Sequence, residues 1–292
     1  MANKKFDVIV VGAGSAGATL ATRLSEDPSR SILLIEAGHD YANIDELPDE
    51  IRQGHATGPD MTIDPDGEHN WGFTAKATPF HTDMPVPRGK ITGGTSAING
   101  QVYLRGIPED FDSWAAAGHD EWSYDKVLPF MKKLENDLDI TDQFHGNSGP
   151  IVVRRYKPDE LVHDQAAFIE AVTDAGFSRT EDHNHPASSG VGPLPLNNPD
   201  GIRWSTALGY LSMSRDRPNF TLSADSHATR VLIKDKRAVG IEYEKNGELH
   251  LAFAGEIVLS AGPIGSPHLL MLSGIGRKEQ LEAVGIDVIS DK

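Results

Sequence analysis

Phe6-Asp7-Val8-Ile9-Val10-Val11-Gly12-Ala13-Gly14-Ser15-Ala16-Gly17 is the stretch whose reading decides the fold. Phe6 to Val11 is a near-continuous β-branched run bounded by glycine, the pattern of a strand buried on both faces in a parallel sheet. Ser15 to Glu26 then carries Ala16, Ala18, Leu20, Ala21 and Leu24 at helical spacing and stops before Pro28. A second buried run, Ile32-Leu33-Leu34-Ile35, follows. Strand, helix and strand within about 30 residues make one βαβ unit with a right-handed crossover.

The glycines between strand and helix have the spacing that seats a dinucleotide pyrophosphate on a helix N-terminus. Gly12 permits the tight turn, Gly14 lets backbone amides approach phosphate without a Cβ in the way, and Gly17 lets helix and strand pack closely, with Ser15 and Ala16 opening the helix. Glu36 ends the second strand 19 residues after Gly17, near the distance expected of the acid that hydrogen-bonds a ribose 2′-OH. FAD and NAD both present adenosine diphosphate, so the loop does not choose between them.

Composition agrees with a globular protein. The 292 residues carry 27 Lys+Arg against 43 Asp+Glu, a net charge of -16, with 38% apolar positions. The acidity argues against a nucleic-acid partner, which needs a basic face. There is no Cys, which excludes disulfides, thiolate zinc sites and cysteine nucleophiles. No stretch approaches the roughly 20 apolar residues of a membrane span. Met1 to Lys5 runs directly into the first strand and does not read as a secretory leader, so a cytoplasmic protein is expected.

Outward along the chain, residues 41–67 scatter Pro48, Gly54, Gly58, Pro59, Pro65 and Gly67 among acids and read as an irregular excursion or lid. Helical patterns cover Glu109–Ala117, Ser123–Glu135 and Asp159–Ala175, the last with Leu161, Val162, Ile169 and Val172 on one face and Gly176 as a stop. Val239–Glu244 and Leu249–Phe253 alternate around Asn246-Gly247, a strong hairpin signal and the centre of a small antiparallel meander. Ile257-Val258-Leu259 reads as another buried strand ending at Ala261-Gly262. Ser266-Pro267 reads as an N-cap and first residue of a helix closed by Ser273-Gly274.

Two long segments carry a family resemblance. Arg88-Gly89-Lys90-Ile91-Thr92-Gly93-Gly94-Thr95-Ser96-Ala97-Ile98-Asn99-Gly100 resembles the first signature of the glucose-methanol-choline (GMC) oxidoreductases, and Gly262-Pro263-Ile264-Gly265-Ser266-Pro267-His268-Leu269-Leu270-Met271-Leu272-Ser273-Gly274-Ile275-Gly276 resembles the second. Ile35-Glu36-Ala37-Gly38, Asn70-Trp71 and Gly201-Ile202-Arg203-Trp204-Ser205 ahead of Tyr210-Leu211 also fall where that family has them. The resemblance runs from Phe6 to Asp291. Thr92 departs from it, standing where an aliphatic residue is commoner.

The resemblance implies an α/β fold: a Rossmann-like FAD-binding domain with the meander, formed by residues 1–40, 68–110 and 219–292, plus an α+β substrate (cap) domain over 111–218. It implies a flavoenzyme oxidising an alcohol (CH-OH) to a carbonyl compound by hydride transfer to flavin N5, with oxygen or another acceptor taking the electrons. Ile98 stands where covalent members carry the linking histidine, so dissociable FAD is expected. Arg88, Gly89, Gly93 and Gly94 are expected along the pyrophosphate and ribityl chain, with Thr95, Ser96 and Asn99 supplying hydrogen bonds. Gly100, Gln101 and Val102 are expected beside the isoalloxazine edge. Glu36 and Ala37 fall at the ribose, the backbone around Ala228 at adenine, Ser260, Ala261 and Gly262 back at the diphosphate, and Ser266 in the second signature. Trp71 reads either as a core indole or as packed on the cofactor.

The family's proton-accepting histidine has no counterpart here and is expected beyond Lys292, supplied in the same polypeptide or by a second chain. A hydroxynitrile-lyase-type enzyme on the same scaffold and a non-catalytic FAD-binding fragment are the rival readings. His183-Asn184-His185 lacks a third ligand at metal spacing and reads as exposed polar residues or a substrate-channel lining; Glu68-His69 is a single pair. No metal is expected. There is no Gly-x-Ser-x-Gly elbow, so acyl transfer has no support.

Overall fold

The computed structural model describes residues 5–53, 64 and 66–292. These form two compact units: the described residues up to Asn99 together with Ser205–Lys292, and Gly100–Trp204.

The first unit is built on a six-stranded sheet. Its strands are β1 (Lys5–Val11), β2 (Ile32–Ile35), β3 (Phe220–Ser223), β4 (Ser226–Lys234), β5 (Arg237–Lys245) and β6 (Glu248–Leu259), in the order β3-β2-β1-β6-β5-β4. β1, β2 and β3 are parallel, with Val8 opposite Ile32 and Ile32 opposite Phe220. Alternate residues of β1 feed two cores, as a strand covered on both sides must. Val8 and Val10 pack with Ile32, Leu34 and Leu211 beneath α1 (Ser15–Leu24); Ile9 and Val11 pack with Leu33, Ile35, Ile241 and Leu269 beneath α2 (Gly262–Leu272). Each of these side chains, fully withdrawn from water, contributes about 1.5–3 kcal/mol.

The hairpin between β5 and β6 turns at Asn246 (φ 54°) and Gly247 (φ 75°), the two left-handed residues of a type I′ turn. Ile257-Val258-Leu259 is not a separate strand, and it is half-buried. It is the second half of the 12-residue β6, whose first half pairs antiparallel with β5 and whose second half pairs parallel with β1. The meander is thereby continuous with the central sheet. α2 also starts earlier than Ser266: its N-cap is Ala261, and Ser266 and Pro267 lie inside it. Pro263 takes the early-turn position in which a missing N–H costs nothing.

Of the 41–67 excursion, 54–63 and 65 lie outside the described residues, and with them Gly54, Gly58, Pro59 and Pro65. Its described part is anchored, because Ile51 packs with Ile91, Ala97 and Ile98, flanked by Tyr41 and Leu47. Ser205 to Ser214 also belongs to the first unit. Thr22 of α1, fully buried, hydrogen-bonds Tyr210 O at 3.2 Å and Ser214 Oγ at 3.0 Å. The unit boundaries thus fall at 99/100 and 204/205, where the sequence reading places them at 110/111 and 218/219.

The second unit carries helices at Pro108–Ala116, Tyr124–Leu134 and His163–Asp174 and a parallel strand pair, Glu135–Asp137 with Ile151–Val153. The third helix begins four residues later than its sequence pattern. Glu160 instead closes a turn, accepting from Lys157 N at 2.6 Å and from Arg154 Nη2 at 2.6 and 2.7 Å. That turn leaves Leu161 and Val162 outside the helix. Among the described residues no helix is long and apolar enough to cross a membrane.

Candidate functional site

A cleft of about 520 Å³ lies wholly in the first unit, at the carboxyl ends of β1 and β2. This is where open α/β sheets place ligands. Its floor is the turn into α1. Gly12 adopts φ 97°, and a Cβ there would sit 2.5 Å from Ser260 O. A Cβ on Gly17 would sit 1.9 Å from Gly12 O, so the third glycine is a packing requirement and faces away from the cleft. α1 has no side-chain N-cap and no acidic residue in its first turn. Its first amides and the positive end of its dipole therefore remain for an anion.

Glu36 stands across from that turn, 6% exposed. Its Oε2 accepts from Ala13 N at 2.8 Å and its Oε1 from Gly38 N at 2.9 Å. Burial pushes its pKa up to about 7, against the amides of Gly38, Ala13 and Ala37 and the Lys90 charge, which favour the charged form. With three amides on its two oxygens, the carboxylate keeps one lone pair for a ligand hydroxyl.

The third wall is the 88–95 loop. Gly93 (φ 90°) and Gly94 (φ 52°) are successive left-handed residues, and a Cβ on Gly94 would come 2.7 Å from Gly14 Cα. Gly93 N donates to Ala13 O at 2.8 Å, joining the two glycine turns. Thr95 Oγ1 accepts from Gly89 N at 3.2 Å. Ser96 is engaged behind the loop: its Oγ donates to Gly93 O at 2.6 Å and accepts from Thr206 N at 3.1 Å.

Of the residues singled out from sequence, Gly12, Gly14, Ser15, Ala16, Glu36, Ala37, Trp71, Arg88, Gly89, Gly94, Thr95, Ala228, Ser260, Ala261 and Gly262 line this cleft together. Gly17, Gly93, Ser96, Asn99 and Ser266 are not in its lining, and Gly100, Gln101 and Val102 lie in the second unit. Trp71 is half-buried at the cleft wall rather than a core indole.

Phe73, His227 and His268 line the cleft without having been singled out. Phe73 lies two residues after Trp71, and the two rings stack at 5.9 Å, so extended-chain alternation was the available signal. His268 follows Ile264 and precedes Leu272 at four-residue steps, one face of α2. His227 meets Trp71 edge-on at 5.5 Å. Burial, aided by the Lys90 charge, lowers its pKa.

A second constellation lies inside the second unit. Glu135, Asp137 and His145 are buried with ligand atoms within 4.8 Å of one another. Arg155 Nη1 bonds both Asp137 oxygens at 2.9 Å, Arg105 pairs with Glu135, and His145 Nε2 meets Asp182 Oδ2 at 2.9 Å. Burial penalises the charged imidazole, but Asp137, Asp182 and Glu135 together push its pKa up to about 11. Three cations thus face three carboxylates, and Glu135 Oε2 is left buried without a hydrogen-bond partner.

His183 and His185, read from sequence as exposed polar residues or a substrate-channel lining, are half-buried, and Asn184 between them is buried. His183 Nε2 bonds Gly192 O at 3.1 Å, and Asn184 accepts from Arg105 N at 2.9 Å. These contacts hold the loop's own fold.

The GMC oxidoreductase family model matches residues 6–289. Oxygen-dependent choline dehydrogenase of Vibrio vulnificus is 40% identical over 284 residues, 96% of this chain and 49% of that protein. Pyridoxine 4-oxidase from Mesorbium loti superposes with a TM-score of 0.86 at 34% identity, covering 98% of this chain and 55% of its own. An FAD-dependent oxidoreductase from Chaetomium thermophilum gives 0.83 at 29%, covering 98% and 50%. The chain spans about half the length of the curated relatives it matches.

Proposed function

The chain belongs to the GMC oxidoreductase family, and from that premise we propose that it forms the FAD site of an enzyme oxidising an alcohol to a carbonyl compound. The observation that carries this reading is the convergence, on one cleft, of the uncapped N-terminus of α1, the Glu36 carboxylate and the 88–95 loop.

The cofactor is FAD, which when bound supplies the hydride acceptor. The amides of Ser15 and Ala16 hold its diphosphate, with Gly14 and Gly94 leaving room for close approach and Arg88 adding positive charge. Glu36 accepts a hydrogen bond from a ribose hydroxyl. The backbone around Ala228 holds adenine, and the stacked Trp71 and Phe73 wall the cleft against water. Ile98 is 4% exposed among Ile51, Ile91 and Ala97. An apolar side chain at that place offers no nucleophile for a covalent link, which supports dissociable FAD.

The second unit is assigned the role of the substrate (cap) domain. An acceptor for the hydroxyl proton has to stand roughly 2.6–3.2 Å from the alcohol oxygen, or one water away. The half-length match to relatives and the lack of a corresponding histidine support its location in a segment outside these 292 residues, supplied in cis or by another polypeptide. The other partners are a small alcohol and oxygen or another electron acceptor. A cytoplasmic location belongs to the same proposal, and cell fractionation tests it.

Anaerobic addition of alcohols to the FAD-loaded protein, completed by its remaining segment, tests the reaction. Bleaching of the flavin spectrum is the expected result. Unchanged flavin with aldehyde release from a cyanohydrin would assign a lyase instead, and failure to bind FAD would refute the cofactor reading.

A further inference from the structure

Thr92 stands between Ile91 and Gly93 in the 88–95 loop and is only 3% exposed. A buried hydroxyl requires a partner. Thr92 Oγ1 donates to Asp40 Oδ1 at 2.9 Å. The same carboxylate takes both arms of Arg215, Nη1 to Oδ2 at 2.6 Å and Nη2 to Oδ1 at 2.8 Å. The Asp40 and Arg215 side chains are only 18% and 20% exposed, and a bidentate fork fixes the plane of the carboxylate as well as its place.

Three segments distant in sequence therefore meet at this point: the exit of β2, the 88–95 loop and the turn after Leu211. The backbone reinforces the junction. Thr92 N donates to His39 O at 3.0 Å, and Gly38 lies so close to the loop that a Cβ on it would be 2.0 Å from Lys90 O. Along two of these segments the neighbouring backbone holds the cleft walls. Gly38 N holds the Glu36 carboxylate at 2.9 Å, and Gly93, next to Thr92, is bonded to Ala13 O at 2.8 Å. Neither Thr92 nor Asp40 nor Arg215 lines the cleft.

We propose that Thr92, held by Asp40 and Arg215, is a positioning residue that fixes the Gly93-Gly94 turn relative to Glu36 so that both ends of the cleft engage one FAD molecule. The inference rests on the cofactor reading above. Its physical content is pre-organisation: without the clamp, only backbone contacts hold the loop to the β2 exit, their spacing loosens, and FAD binding has to restore it at a cost in affinity.

FAD release from the loaded protein and the FAD dissociation constant, both read by flavin fluorescence, test this in wild type, Thr92→Val, Thr92→Ser and Arg215→Lys. Thr92→Val keeps shape and loses the hydroxyl. It is expected to weaken FAD binding about five- to twenty-fold and to speed release correspondingly. Thr92→Ser restores the hydroxyl and should return affinity to within about twofold. Arg215→Lys keeps the charge without the fork and should fall between.

The urea midpoint of the flavin-free protein separates positioning from bulk stability. A lowered midpoint with an unchanged dissociation constant in Thr92→Val overturns the proposal. If Thr92→Val does not fold, wild-type affinity in Arg215→Lys overturns it. Absence of FAD binding in the wild type refutes the cofactor reading itself and this inference with it, an outcome distinct from binding that the substitutions leave unchanged.

Discussion

Replacing Glu36 with Gln should change the pH dependence of stability in a direction opposite to that of most carboxylates. In the flavin-free fold the Glu36 pKa stands at about 7 against an ordinary 4.5, with burial as the main cause. Between these values the folded protein holds a proton that the unfolded chain has released. The contribution is therefore complete below about pH 4.5 and is lost as pH rises through about 7. Integrating the two titrations from pH 5 to pH 8 gives a loss of about 2.5 kcal/mol from this residue.

Glu36→Gln cannot ionise, so its profile lacks that loss. The amide cannot accept from both Ala13 N and Gly38 N, however, and one buried N–H left facing an NH2 group costs about 1–3 kcal/mol at every pH. The variant should be less stable than wild type at pH 5 and level with it, or more stable, at pH 8. Urea unfolding of both flavin-free proteins at pH 5, 6, 7 and 8 measures the difference, which cancels every other titrating group. A gap that stays constant within about 0.5 kcal/mol across that range would show that Glu36 ionises without penalty in the fold, and the argument from burial would be wrong.

Three further outcomes are expected. His145→Gln leaves Glu135 and Asp137 without their imidazolium and should destabilise the protein by about 3–5 kcal/mol. With the folded His145 pKa up at about 11, the wild-type advantage is full below about pH 6.5 and shrinks towards pH 11, so unfolding curves at pH 6 and pH 10 check it. Gly94→Ala places a Cβ 2.7 Å from Gly14 Cα at a left-handed residue; FAD affinity should drop at least about tenfold while the far-ultraviolet circular dichroism of the flavin-free protein is preserved, and an unchanged dissociation constant would show that the two glycine turns separate freely. Acid precipitation of the loaded protein should leave its flavin in the supernatant, and yellow pellets would contradict dissociable FAD.

Local chemistry made the core of the first unit legible. The β-branched run from Phe6 to Val11 and the glycines after it are features of a few neighbouring residues, and so is Asn246-Gly247, whose positive φ values the sequence alone anticipates. Glycine spacing also announced Gly12 and Gly14 at the cleft, and the family resemblance announced Gly94; at Gly12 and Gly94 a Cβ would collide with neighbouring backbone. Where a helix begins was less legible. Ser266-Pro267 has the composition of a helix start, yet Pro263 offers the same device earlier, and the helix begins there, with Ala261 as N-cap.

Other features exist only in three dimensions. β6 changes partner midway, and nothing in twelve alternating residues says that its first half will lie beside β5 and its second beside β1. The Arg105, Glu135, Asp137, His145, Arg155 and Asp182 network is drawn from positions up to 77 residues apart; each residue alone reads as surface charge, and its burial is tolerable only because the others arrive with it. The Asp40, Thr92 and Arg215 junction is of the same kind. Sequence determines what a segment can do with its neighbours along the chain, through periodicity, turns and missing side chains. Which buried charge meets which, and which wall faces the cofactor, depends on contacts whose energy appears only after the chain has closed on itself, and those the tertiary structure decided.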